Sequence, residues 1–194
     1  MPRTLASPAT AELEVRRSRF LGFALAVSGR EEAAERVALL RAEHPGANHV
    51  CWALLAGGHS GMSDDREPRG TAGRPILEVL RHHDLDGVLG VVVRYFGGVK
   101  LGAGGLVRAY TDAIATALLH AEIVERIPET TLTVTADYAD AERIRRWAEG
   151  EGFAVPDIDY GATVRLAMVL PQARSAEAAD TIRDLTGGRS SPEG

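Results

Sequence analysis

Residues Gly87–Tyr110, GVLGVVVRYFGGVKLGAGGLVRAY, constrain the fold more than any other stretch. Val88–Val93 is a near-continuous apolar run, the pattern of a strand buried on both faces. Five glycines follow within nine residues (Gly97, Gly98, Gly102, Gly104, Gly105). They give the backbone conformations closed to other residues and let another chain segment or a phosphate come close. The loop opens a long apolar helix running to His120, and the first N–H groups of a helix have no partner inside it, so that end attracts anions. Arg94, Lys100 and Arg108 add positive charge, and no acidic residue lies between Gly87 and Thr111. The stretch therefore reads as a candidate oxyanion or phosphate contact, with backbone N–H groups at Gly104 and Gly105 assisting. The competing reading is that the glycines only permit tight packing and the arginines are solvated. The spacing is neither GxGxxG nor GxxxxGK[ST], so it implies neither dinucleotide nor P-loop binding.

Before this stretch, residues 1–11 are rich in Pro, Ala, Ser and Thr and read as loose. Glu12–Arg17 and Arg19–Val27 read as two strands or one broken strand. Ser28-Gly29-Arg30-Glu31 has capping-box spacing, and a helix through Glu43 carries Ala33, Val37 and Leu40 on its inner stripe. Asn48–Ala56 reads as a strand, with Val50, Trp52 and Leu54 on one side and His49, Cys51, Ala53 and Leu55 on the other. Gly57–Gly73 reads as a long polar loop, of a length often tied to function. Ile76–His83 is a short helix, with Pro75 in its first turn. After Ile127–Glu129 the pattern restarts. Thr131–Ala136 alternates as a half-exposed strand does. Asp137 caps a helix bearing Ile144, Trp147 and Ala148. Phe153–Tyr160 and Thr163–Leu170 are strands. Ser175 caps a last helix with Ala178, Ile182 and Leu185 inside, and residues 189–194 are tail. The order βαββα is a ferredoxin-like pattern lacking its final strand unless another segment supplies it. The fold class is α+β, divided into residues 1–127 and 128–194.

Charge limits the partners. The chain of 194 residues has net charge −5, so any polyanion must meet a local patch. Residues 1–127 hold 15 basic and 15 acidic side chains, whereas 128–194 hold 7 and 12. A polyanion would therefore meet the first part, and the acidic second part suits a protein partner. A single cysteine, Cys51, excludes an intrachain disulfide and fits a reducing compartment. No run reaches the roughly 18–20 apolar residues of a membrane span, and the first residues lack the apolar core of a signal peptide. A cytoplasmic protein without a membrane partner is the expectation.

Other constellations are less specific. Asp64, Asp65 and Glu67 cluster in the polar loop, where carboxylates can hold Mg²⁺ or serve as acid and base. They alternate with Arg66, Arg69 and Arg74, which equally suits local pairing, capping or a recognition surface. His49 and Cys51 share a strand face, as a nucleophile and its base would, or as a histidine and a small buried residue. Tyr95 and Phe96 beside the glycine loop suit base stacking or a strand-end core. There is no GxSxG, HExxH or Walker motif, and no metal or cofactor is expected.

Two motifs in order are diagnostic: Ser63-Asp64-Asp65-x-Glu67-Pro68-x-Gly70-Thr71-Ala72-Gly73-Arg74-Pro75, then Arg94-Tyr95-Phe96-Gly97-Gly98-x-Lys100-Leu101-Gly102-x-Gly104-Gly105-Leu106-x-Arg108-Ala109-Tyr110. They resemble the IMPACT/YigZ family over roughly Ser18–Glu125, and the C-terminal part resembles the small domain of bacterial members. The resemblance implies a first domain with the α/β fold of the second domain of a small-subunit ribosomal protein and of the fourth domain of elongation factor G. It implies a ferredoxin-like second domain. Eukaryotic relatives are translation regulators that act through a partner-binding domain this chain lacks, so that mechanism does not transfer. Arg66 and Arg69 stand where glycine and serine are more familiar, which disfavours a metal site and favours RNA.

The expected function is regulation of translation by binding RNA or the ribosome. Arg94, Lys100 and Arg108 would contact phosphates, Tyr95 would stack, and Arg66, Arg69 and Arg74 would extend the patch. The alternatives are an enzyme acting on a phosphorylated small molecule, with Asp64, Asp65 or Glu67 as acid/base or Mg²⁺ ligand, and a protein-interaction module whose motif residues hold the fold.

Overall fold

The apolar run becomes the middle strand of a five-stranded antiparallel sheet. In the computed structural model, which describes residues 2–193, the elements up to Arg126 are β1 (Arg3–Leu5), β2 (Ala9–Val15), β3 (Ser18–Ala26), α1 (Arg30–Glu43), β4 (His49–Ala56), β5 (His59–Ser63), α2 (Gly73–His82), β6 (Val88–Tyr95), α3 (Gly102–Leu119) and β7 (Ile123–Glu125). The sheet order is β2-β3-β6-β4-β5, and β1 pairs with β7 in a separate two-stranded ribbon.

Alternation along the strands divides the core into two layers. Phe20, Ala24, Cys51, Ala53, Val88 and Val92 face α2 and α3, meeting Ile76, Leu80, Tyr110 and Ile114. Val50, Leu54, Leu89, Val91 and Val93 face the other way, toward Ala33, Val37 and Leu40 of α1. Helices on both sides explain why β6 lacks polar alternation. Register aligns Arg94 with Phe20 on β3 and with His49 on β4. That row, at the end of the sheet under α3, positions the site.

Three expectations in this region change. Much of the segment expected to be loose is strand: β1 pairs Arg3–Leu5 with Ile123–Glu125 in register, and β2 already begins at Ala9. The polar stretch 57–73 is not one loop, because His59–Ser63 folds back on β4 as the edge strand β5, leaving a loop of residues 64–72. The anticipated capping box is shifted by one residue, since Glu32, not Glu31, accepts from the N–H and hydroxyl of Ser28, both at 2.9 Å.

A second compact unit begins at Ile127. It contains β8 (Glu129–Ala136), α4 (Tyr138–Gly150), β9 (Ala154–Tyr160), β10 (Val164–Pro171) and α5 (Ser175–Leu185), with sheet order β8-β10-β9. Leu132, Val134, Leu166, Met168 and Leu170 bury against Ile144, Ala148 and Ile182. Asp137 caps α4 as expected, accepting from the N–H of Asp140 at 2.8 Å. Ser175 caps nothing; α5 emerges from a 3-10 turn at Gln172–Arg174. The supposed tail is structural. Arg189 donates to both oxygens of the buried Asp140, to Oδ1 at 2.9 Å and to Oδ2 at 2.7 Å. Glu193 exchanges two 2.8 Å backbone hydrogen bonds with Thr133, a bridge beside β8 where a ferredoxin-like fourth strand lies.

The helix–sheet contact in the first unit depends on Gly22. A Cβ there would sit 2.4 Å from the backbone oxygen of Ala113 on α3. Gly22→Ala is expected to destabilise the first unit by about 1–3 kcal/mol through overpacking. Urea unfolding followed by Trp52 fluorescence, in a Trp147→Phe background so that only the first unit reports, measures it.

Candidate nucleic-acid interface

Asp64 organises the loop before α2. Its carboxylate accepts from the N–H groups of Gly70 (2.8 Å), Ala72 (3.1 Å) and Gly73 (2.8 Å), closing the loop and capping α2. Burial raises its pKa, but these three N–H groups and the charge of Arg69 outweigh burial and hold it below the usual value. Asp65 accepts from the Val50 N–H at 2.7 Å and from Arg41 at 3.1 Å. Asp65 and Arg66 both occupy the left-handed region, with φ of 38° and 69°, which explains why glycine suits position 66. Arg66 itself donates to the Asn48 carbonyl at 3.1 Å.

Glu67 and Arg94 form the buried centre. Glu67 is 8% and Arg94 5% exposed. Arg94 Nη1 lies 2.5 Å from Glu67 Oε1, which also accepts from the Tyr110 hydroxyl at 2.8 Å. Arg94 Nη2 lies 3.4 Å from Ser18 Oγ, and that oxygen accepts from the Gly97 N–H at 3.2 Å. The Arg94 guanidinium lies over Phe20 and Phe96, and its Nε has no partner. His49 Nδ1 is 2.9 Å from the Asp65 carbonyl, which can only accept, so Nδ1 carries the proton; Nε2 faces Glu67 at 3.7 Å. The Cys51 thiol is 3.1 Å from the Asp64 carbonyl and 3.4 Å from the Tyr110 hydroxyl. Burial, then the nearby carboxylates, push its pKa up to about 12, although the hydrogen bond with Tyr110 works the other way. Burial also drives the Tyr110 phenol well above its ordinary value.

These contacts revise the sequence-based assignments. Arg94 does not face solvent and cannot reach a phosphate; it neutralises Glu67. Glu67, Asp64 and Asp65 are engaged by Arg94, by backbone N–H groups and by Arg41, and so serve as ties within the fold. Among the described residues no group of three or more His, Cys, Asp or Glu is arranged to hold a metal ion. Cys51 is a protonated interior thiol. Tyr95 is half-buried on the α1 side, its hydroxyl 2.8 Å from His44 Nδ1 and its ring under Arg19, so it is not free to stack.

The remaining candidates are exposed. Arg69, Arg74, Lys100 and Arg108 reach solvent. Arg74 lines a groove of about 640 Å³ between α2 and α3 with Val79, Val107 and Thr111, which brings this cation to the flank of α3. Helix α3 starts at Gly102 with no side-chain cap and no acidic residue in its first turn. The N–H of Gly104 falls in this first turn, where helical N–H groups have no partner within the helix. Sequence reasoning missed Arg16 and Arg17. They form the two-residue turn between β2 and β3, with φ of 47° and 67°. Arg16 donates to the Lys100 carbonyl at 3.4 Å, and a Cβ on Gly97 would lie 2.0 Å from the Arg17 carbonyl oxygen. The available signal was two alternating runs separated by two residues, but the turn residues are arginines instead of Asn-Gly.

Two outcomes follow from the buried cluster. Glu67→Ala is expected to cost about 3–5 kcal/mol, because it strands a buried cation, while Glu67→Met with Arg94→Met loses less than the sum of the single changes; denaturant unfolding of the four proteins in the cycle reads this. Cys51 is expected to stay unmodified by a thiol-specific disulfide reagent at pH 8 in the folded protein, and to react once the chain is unfolded.

The comparisons agree with this architecture. A family model described as the Impact N-terminal domain matches residues 16–118, and one described as a domain of unknown function matches residues 134–189. IMPACT family member YigZ of Escherichia coli is 37% identical over 188 residues, covering 94% of this chain and 92% of that protein. IMPACT family member YvyE of Bacillus subtilis is 35% identical over 182 residues, covering 92% and 84%. The crystal structure of a hypothetical protein superposes with a TM-score of 0.78 at 35% identity, covering 98% of this chain and 95% of that one. The chain belongs to the IMPACT family.

Proposed function

We propose that this protein is a translation-associated regulator that binds RNA or an RNA surface of the ribosome through the first unit. The observation that carries the proposal is the distribution of unpaired charge. Among the described residues of that unit, seven cations lack a carboxylate partner. Six of the seven, Arg16, Arg17, Arg69, Arg74, Lys100 and Arg108, belong to the β2–β3 turn, the loop before α2 and the first turn of α2, or the first half of α3 with the glycine loop before it. Leaving cations unpaired in a unit with as many acidic as basic side chains is what a local polyanion contact requires. The translation half of the proposal is supported by family membership, since eukaryotic relatives are translation regulators.

An enzyme acting on a phosphorylated small molecule is disfavoured, because the carboxylates it would use are occupied. The burial of Arg94, Glu67 and Tyr110 favours one second reading, a protein-interaction module whose motif holds the fold. The second unit, with net charge −5, suits contact with protein better than with nucleic acid.

Fluorescence anisotropy of a labelled RNA across a KCl series separates the two readings. Wild type is expected to bind, with log K falling linearly against log salt. Lys100→Gln and Arg108→Gln are each expected to weaken binding and flatten the slope by about 0.7–0.9. Absence of binding at low salt refutes the RNA reading.

A further inference from the structure

We infer that the ligand of this face is unpaired RNA, with Phe96 stacking on a base and Arg16, Arg17 and Lys100 holding the adjoining phosphates. The inference rests on the preceding proposal that this face contacts RNA, and it adds the strandedness of the ligand and the residues that recognise it.

Phe96 is 45% exposed, a large apolar ring left in water immediately after a strand whose other side chains are largely buried. Its backbone is fixed on both sides. The Phe96 N–H donates to Asn48 Oδ1 at 2.8 Å, and the next residue, Gly97, is held by Ser18 and packed against the Arg17 carbonyl. The ring is thus carried on a fixed backbone, and holding it in place for a partner costs less conformational freedom than ordering a mobile loop. One face of the ring looks onto the Arg94 guanidinium, whose central carbon is 5.6 Å from the ring centroid. Close to half of Phe96 stays open to solvent and so to a ligand.

Arg16 and Arg17 sit in the turn that packs against the glycine loop, and Lys100 lies within that loop. The Arg17 carbonyl abuts Gly97, the neighbour of Phe96, and Arg16 reaches the Lys100 carbonyl in the same loop. None of Arg16, Arg17 or Lys100 pairs with a carboxylate among the described residues. An exposed aromatic ring with cations in its loop and in the turn packed against that loop matches a nucleotide whose base is free of its stack and whose phosphates lie to either side. A-form duplex RNA hides its base faces and presents a deep, narrow major groove, so it offers Phe96 nothing to stack on.

The test uses the full chain and one labelled 12-nucleotide RNA, single-stranded and as a duplex with its complement, over a KCl series. The single strand is expected to bind more tightly. Phe96→Leu is expected to weaken it roughly five- to a hundredfold without changing the salt slope, and Phe96→Trp to restore it. For the turn, Arg16→Asn with Arg17→Gly removes both charges while supplying the residues that a two-residue turn with positive φ prefers, so the fold is retained. It is expected to flatten the single-strand slope by about 1.4, at about 0.7 per lost contact. Binding that is unaffected by Phe96→Leu, or equally tight for duplex, overturns this inference and leaves the RNA proposal standing. No binding of either RNA at low salt overturns both. Phe96-dependent binding to phosphatidylglycerol vesicles in place of RNA overturns both in favour of an anionic lipid surface.

Discussion

The ion pair between Glu67 and Arg94 is the contact on which the first unit depends. A guanidinium taken out of water needs a counter-charge and hydrogen-bond acceptors, and every acceptor it finds comes from a different segment. Glu67 supplies the loop before α2, Tyr110 attaches α3 through the same carboxylate oxygen, and Ser18 attaches the start of β3 and the glycine loop. Four segments distant in sequence are thereby held at one end of the sheet. A pair of this kind contributes specificity of arrangement more reliably than net stability, because desolvation offsets much of its attraction. Here the specificity consists in holding the loops that carry the exposed cations.

The family motif consequently has two kinds of residue. Asp64, Glu67, Arg94 and Tyr110 form an internal frame, while Arg69, Arg74, Phe96, Lys100 and Arg108 are displayed by it. The glycines serve both parts. Gly97 lets the β2–β3 turn close on the loop, and Gly102 begins a helix whose first turn carries no acid. The loop's carboxylates are meanwhile engaged by backbone N–H groups, Arg41 and Arg94.

The fold was largely legible where periodicity was strong. The apolar β6, the inner stripe of α1 and the long apolar helix α3 all declared themselves. What was hidden had physical reasons. β5 is His-Ser-Gly-Met-Ser, an edge strand with no apolar alternation, and it exists because β4 offers an unpaired backbone edge. β1 and the Glu193 bridge are too short to show any period and are held by partners far away in sequence. The burial of Arg94 was recoverable. Val88, Val92 and Arg94 share one face of β6, and that face lies under α2 and α3. Charge suggested solvent, and strand parity was the better guide. The same parity turns Tyr95 toward α1, where His44 holds its hydroxyl. Phe96, one residue beyond the strand, escapes that alternation. The arginine pair in the β2–β3 turn was obscured because turn chemistry favours Asn-Gly there, so composition gave no warning.

The ribbon of β1 and β7 has a consequence of its own. Arg3 is paired with Glu125 and Leu5 with Ile123, so the entry and exit of the first unit run side by side in opposite directions. A unit whose two ends meet behaves as a cassette. It can be carried within another chain, or joined end to end and reopened in a surface loop, without disturbing the sheet. Tension applied between its two ends would load the three-residue ribbon first and leave the five-stranded sheet at rest. The first unit is thus mechanically insulated from whatever its continuation is attached to.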